Sequence, residues 1–243
     1  MVPFAQQSAN QPDARANGSS LQYRWLLLLV MIYLVGWTSS YPMIYRMTEV
    51  HHILEPGCIY LFPLSYAIAD IVSEVYGYKI ARQMVWFAMI AGFIFSSALW
   101  FVSKLPAPSF WQHQTEYQAV FSPILRAYFA TTLASLTGNF INIYFISKWK
   151  ILMKGRHFWL RSVSSTAVGE ATFSVIGGTL AYWGVEPWSK IVFLMLDGYL
   201  FKVLYAFVAV WLAVLVVYAL KKSEGVDVYD TGVNYSPFKL SLE

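Results

Sequence analysis

The sequence predicts an all-α integral membrane protein with six transmembrane helices and both termini on the cytoplasmic side. Three observations carry that expectation. Hydrophobic residues make up 58% of the 243 positions and charged residues only 12%, where a soluble domain has about 25% charged, so there is too little charge to clothe a water-facing surface. Six stretches reach the roughly 20 apolar residues that a spanning helix needs. The basic residues then fall mainly on alternate connections between those stretches, as the positive-inside rule requires.

In chain order, residues 1–23 are rich in Gln, Asn, Ser and Ala and lack the basic segment and cleavage site of a signal peptide, which predicts a disordered cytosolic tail. Residues 24–222 form the membrane domain, with spans predicted at Trp25–Ile44, Gly57–Tyr76, Met84–Ser103, Val120–Lys148, Ser162–Trp183 and Ile191–Leu220. Residues 223–243 read as a second cytosolic tail of the same disordered kind. With both ends inside, cytoplasmic segments hold Arg15, Arg24, Lys79, Arg82, Lys148, Lys150, Lys154, Arg156, Arg161, Lys221, Lys222 and Lys239, against Arg46, Lys104, Arg126 and Lys190 at the outer side. Trp25, Trp37, Trp100, Trp111, Trp183 and Trp188 lie near predicted helix ends, as an interfacial aromatic belt does.

Several function classes drop out. Cys58 is the sole cysteine, so no intrachain disulfide forms. The formal charge of +4 sits in loops suited to an anionic leaflet, with no basic stripe for nucleic acid. There is no Gly-rich Lys-Ser/Thr loop, no His-Glu-x-x-His and no Gly-x-Ser-x-Gly, and His51, His52, His113 and His157 all fall in loops. No cofactor and no metal site are expected. An intramembrane enzyme is the weakest reading, because nothing pairs a nucleophile with a base.

The polar residues inside the spans carry the function. Asp70 and Glu74 lie on the second segment, Asn139 and Asn142 on the fourth, Glu170 on the fifth, and Asp197 and Lys202 on the sixth. An acidic side chain near a bilayer centre costs on the order of 3 kcal/mol, so each marks a functional candidate with a partner to be found. At 1.5 Å per residue, Asp70, Asn139 and Glu170 share a depth roughly 12 to 14 Å from the inner boundary, which predicts a binding level built from three helices. Phe140 and Phe173 are placed to stack on a flat ligand there. Glu74, nearer the interface, is expected to pair with Lys79, Arg82 or Lys202, and Arg82 with it to form a packing or gating network. Glu170 has no basic neighbour in its own helix and is therefore expected to serve a ligand. Gly138-Asn139 and Gly169-Glu170 resemble one another on antiparallel neighbours, where small residues let two backbones approach.

Three motifs in order carry a resemblance: Glu55-Pro-Gly57 leading into Phe62-Pro63; Asp70 to Glu74-Val-Tyr-Gly77 with Ala81-Arg82; and Leu196-Asp197-Gly-Tyr-Leu-Phe-Lys202. Together they resemble the bacterial queuosine precursor transporters, the vitamin-uptake-like VUT family, over about residues 25 to 220. The resemblance implies a multi-pass protein of the bacterial inner membrane, related in fold to the substrate-binding components of energy-coupling-factor transporters. It implies import of 7-deazaguanines such as preQ0, preQ1 or queuine, a purine-like substrate as partner beside the lipid bilayer, and an assembly compatible with a homodimer. Relatives usually read Gly-Gln-x-x-Asp where this chain has Gly138-Asn139-Phe-Ile-Asn142, and Gly-Gln or Gly-Asn then Asp where it has Gly169-Glu170 then Phe173. One acidic group fewer in the site is the consequence.

On that reading Glu170, Asn139, Asn142, Asp70, Phe140 and Phe173 bind substrate, while Asp197, Lys202, Glu74 and Arg82 couple or gate. Asp70, Asp197 and Lys202 are the candidates for moving a proton. The alternative is a vitamin-binding subunit of an ATP-driven importer. Docking in that class resembles an Ala-x-x-x-Ala surface on the first helix, and Leu26 to Gly36 contains no alanine, which disfavours dependence on an ATPase module.

Overall fold

The computed structural model describes residues 23–50, 53–182 and 187–239. The predicted first tail, the Trp183 boundary, His51 and His52 lie outside these. Among the described residues seven α-helices follow one another: α1 (Leu26–Met43), α2 (Phe62–Tyr76), α3 (Tyr78–Lys104), α4 (Gln114–Phe121), α5 (Ile124–Leu152), α6 (Phe158–Tyr182) and α7 (Trp188–Glu224). Between α1 and α2 lies a departure from the all-α expectation, an antiparallel hairpin of β1 (Met47–Val50) and β2 (Ile53–Pro56), in register Met47 to Pro56 and Thr48 to Glu55. Eight residues without a Gly-containing turn signal gave the sequence no hairpin pattern to show.

Among the described residues, five spans are long and apolar enough to cross a membrane: Leu26–Met43, Gly57–Tyr76, Tyr78–Lys104, Gln114–Leu152 and Trp188–Glu224. The sixth expected span, α6, has 25 residues, about 37 Å of helix, yet it is too polar to stand among them. Its Ser, Thr, Gly and Glu residues are what it contributes to the interior. The third helix starts at Tyr78, ahead of the expected Met84, because Lys79, Arg82 and Gln83 continue the helix although they lower its hydropathy. Pro123 divides the fourth expected span, standing just before α5, where its missing N–H leaves no helical bond unmade.

The helix α2 is the axis of the molecule. From Ile68 to Tyr76 every residue is buried, and α2 packs against α1, α3, α5, α6 and α7. Tyr33, Trp37 and Tyr41 on α1, Ala81, Val85 and Ala88 on α3, and Ile143 and Ile146 on α5 complete the core. Outward faces are apolar: on α7, Phe193, Leu196, Leu200, Leu204, Val208 and Leu212 are all more than half exposed. That three-to-four spacing forms a continuous stripe suited to lipid.

The turn from α2 to α3 is one residue long. Gly77 takes φ +89° there, and a Cβ on it would stand 2.8 Å from Val228 Cγ1 and 2.9 Å from Asp230 Oδ1, so glycine answers both the backbone and the close approach. The residues pressed against it belong to the segment after α7, which corrects the expectation of a disordered tail. Residues 225–239 run back across the ends of α2, α3 and α5 as a strap. The Val228 N–H donates to Val75 O, and Asp230 accepts from the Tyr78 N–H at 2.9 Å and from Ser147 Oγ at 2.6 Å. Asp230 thus caps the start of α3 from a distant part of the chain. Arg82 donates to the carbonyls of Asn234 and Ser236, and Trp86 to that of Pro237. A row of backbone acceptors and one buried carboxylate holds this strap, features that composition does not reveal.

Candidate functional site

Helices α2 and α6 run antiparallel, and each carries a stripe at four-residue spacing: Phe62, Tyr66, Asp70 and Glu74 on α2, Ser162, Thr166 and Glu170 on α6. Such spacing stacks side chains on one helix face. The stripes meet rung by rung. At the hairpin end the rings of Phe62 and Phe173 lie 5.3 Å apart between centroids. Next, Tyr66 wedges against the α5–α6 crossing. At the third rung Asp70 accepts from Ser162 Oγ and, at 3.4 Å, from Thr166 Oγ1. At the strap end Glu74 accepts from Arg161 Nη1 at 2.7 Å.

The crossing depends on two glycines. A Cβ on Gly138 would fall 2.8 Å from Gly169 O and 2.7 Å from the Tyr66 hydroxyl, and one on Gly169 would fall 2.7 Å from Gly138 O. The resemblance between Gly138-Asn139 and Gly169-Glu170 therefore marks two helices that touch backbone to backbone. Close approach brings Asn142 and Glu170 inward. Asn142 Nδ2 donates to Asp70 Oδ1 at 2.6 Å, Asn139 Oδ1 accepts from the Tyr33 hydroxyl at 3.4 Å, and Asn139 Nδ2 donates to Ser135 O.

Glu170 differs from expectation. It is fully buried, and Lys202 of α7 donates to its Oε2 at 3.1 Å. Lys202 Nζ also lies 4.1 Å from the Phe173 ring centre and 6.0 Å from that of Phe62. A partner 32 residues away on another helix is invisible in the local sequence. Three buried polar atoms of this level have no hydrogen-bond partner among the described residues: Glu170 Oε1, Asn142 Oδ1 and the Tyr66 hydroxyl. Buried polar atoms are seldom left so. A small crevice between α2, α6 and α7 reaches this level, lined by Pro63, Tyr66, Asp70, Ser162, Thr166 and Ala206 among others.

Phe140 does not join the site. Its ring packs against Trp86 of α3 at 5.9 Å, because it lies about 200° round α5 from Asn142. Asp197 is further out, toward the hairpin, and its neighbour Gly198 lies under the Glu55 carboxylate. Burial, then the charge of Asp197, push the Glu55 carboxyl above its ordinary range, against a lowering by Lys202.

The partners expected for Glu74 are also corrected. Glu74 is fully buried and meets Arg161 at 2.7 Å, Lys221 at 2.6 Å and Lys150 at 3.9 Å. Asp227 from the strap joins them, 2.6 Å from Lys150 and 2.9 Å from Lys221. Burial alone would raise Asp227, but the two ammonium groups outweigh it and hold its carboxyl below the ordinary range. Arg82 belongs to the strap contacts, one turn beyond Tyr78, and its guanidinium lies 5.5 Å from the Tyr78 ring. The single charged run Asp70 to Arg82 thus serves three structures: the site, a buried ionic cluster and the strap.

Tyr66, Ser162, Thr166, Arg161, Lys150 and Lys221 were not nominated from sequence. The i, i+4 stripe of Ser162, Thr166 and Glu170 was the available signal on α6. Tyr66 makes a direct test of the site. Its hydroxyl has no partner among the described residues, so Tyr66→Phe is expected to leave melting temperature unchanged or slightly raised, since an unpaired buried hydroxyl is itself unfavourable. If a ligand uses that hydroxyl, uptake falls about tenfold in the same variant. Thermal melts and uptake measured on one preparation check both.

A family model described as "Putative vitamin uptake transporter" matches residues 56–216. The chain is also similar to the queuosine precursor transporter of Escherichia coli (strain K12), 22% identical over 193 residues that cover 77% of this chain and 83% of the relative. No solved structure matches it.

Proposed function

Because this chain belongs to the family of vitamin uptake transporters matched over residues 56–216, we propose that it imports queuosine precursors, 7-deazaguanine bases, across the bacterial inner membrane. The observation that supports the substrate class is the buried level on α2, α5 and α6, where Glu170 Oε1, Asn142 Oδ1 and the Tyr66 hydroxyl await partners beside the Phe62 and Phe173 rings. A deazaguanine presents a ring N–H and an exocyclic amine side by side, which carboxylate and amide oxygens accept, and a flat face on which an aromatic ring stacks. On this reading α6 is the sixth span, polar because it lines the path, as intramembrane polar groups do. The strap end, with Lys79, Lys148, Lys154, Arg156 and Lys222, faces the cytoplasm.

The protein acts as a single transporter and carries out no chemistry on its cargo. Exposed Leu27, Met31 and Val35 on α1, with no alanine among them, suit lipid contact better than docking on an ATPase. The raised Glu55 carboxyl at the hairpin end, beside Asp197, is suited to take up a proton from outside, and uptake by the reconstituted chain is expected to rise when a proton gradient is imposed on the liposomes. The substrate itself is tested in cells. A strain unable to synthesise queuosine, expressing this chain and fed each precursor in turn, is expected to regain queuosine in its tRNA with at least one of them. Restoration with none overturns the reading.

A further inference from the structure

Resting on the transport reading, the contacts of Lys202 point to a choice within the substrate class. We infer that Lys202 fills, from inside the protein, the position that a cationic substituent of the substrate would take, so that the site prefers a neutral bicyclic base over one bearing an aminomethyl cation. The ammonium of Lys202 donates to Glu170 Oε2 at 3.1 Å and lies 4.1 Å from the Phe173 ring centre, with Phe62 at 6.0 Å. A carboxylate joined to aromatic faces is the environment that captures an ammonium ion. Here it is already occupied by a tethered one.

The second carboxylate of the level offers no replacement. Asp70 accepts from Asn142, Ser162 and Thr166, so donors already surround both of its oxygens. The atoms left free are Glu170 Oε1 and Asn142 Oδ1, which accept, and the Tyr66 hydroxyl, which can do either. These suit the N–H edge of an uncharged base. A substrate cation entering beside them meets Lys202 at close range in a water-poor site, where like charges repel far more strongly than in solution. To bind, it must expel Lys202 from the only carboxylate to which that ammonium is joined among the described residues.

Uptake by cells expressing the chain, measured in parallel for the nitrile base and the aminomethyl base, tests this. The expected result is a preference of about tenfold or more for the nitrile, moved about tenfold toward the aminomethyl base by Lys202→Met and retained by Lys202→Arg. Wild-type uptake of the aminomethyl base equal to or above that of the nitrile overturns the inference without any variant. So does an unchanged ratio in a Lys202→Met protein that reaches the membrane. Uptake of both bases with no preference removes the inference but leaves the transport reading standing, and uptake of neither removes the inference too, while the transport reading then falls only when feeding with the remaining precursor also fails to restore queuosine.

Discussion

Replacing Glu74 by alanine is expected to cost about 3–5 kcal/mol of stability, because it strands cations that its carboxylate now neutralises in the interior. Arg161 Nη1 stands 2.7 Å from one of its oxygens and Lys221 Nζ 2.6 Å from the other, and Lys150 is 3.9 Å away. Arg161 and Lys150 are fully buried, so neither can turn to water. The loss is a large part of the roughly 5–15 kcal/mol that holds a folded domain together. It corresponds to a melting temperature lower by about 10 °C for a chain of this size. The measurement is a thermal melt of detergent-purified protein. Lys221, 24% exposed, can escape to water, so the charge left stranded is chiefly that of Arg161, and Arg161→Met added to Glu74→Ala should restore part of the loss, in a double-mutant cycle. Equal melting temperatures for wild type and Glu74→Ala would sink the idea that this cluster holds the helix ends together.

Glu170→Gln is expected to lower uptake between about tenfold and a hundredfold, the range for losing a charge-assisted hydrogen bond to a buried ligand. The change keeps the shape of the side chain and removes its charge. It also leaves Lys202 against a neutral amide beside Phe173, so some stability is lost, and the melt must be measured beside the transport rate. Uptake lowered far beyond the fall in folded protein is the expected result. A well-folded glutamine variant with wild-type uptake would remove Glu170 from the site. The contrast with Tyr66→Phe is informative, since that variant should lose affinity while keeping or gaining stability.

Much of this architecture is legible in the sequence because local patterns determine it. Apolar length gives the helices, and the four-residue spacing on α2 gives a face that must be buried. The small-plus-polar pairs Gly138-Asn139 and Gly169-Glu170 give the crossing. Pairing across the fold is a different matter. That Glu74 meets Arg161, Lys150 and Lys221, and that Glu170 meets Lys202, depends on which helices become neighbours, and each partner lies 32 to 147 residues away. Charge counts alone also allowed Lys79 or Arg82 for Glu74. Phe140 was misjudged by angle and not by depth. The strap was hidden because polar residues that bond to backbone carbonyls look, in composition, like residues that bond to water.

The strap has a consequence for how the molecule is made. Lys150, Arg161 and Lys221 face Glu74 alone until Asp227 arrives, and the first turn of α3 lacks its Asp230 cap until then. Residues 225–239 leave the ribosome after α1 to α7. Until the strap folds back, that end of the bundle holds three cations against one carboxylate, and Asp227 brings the second.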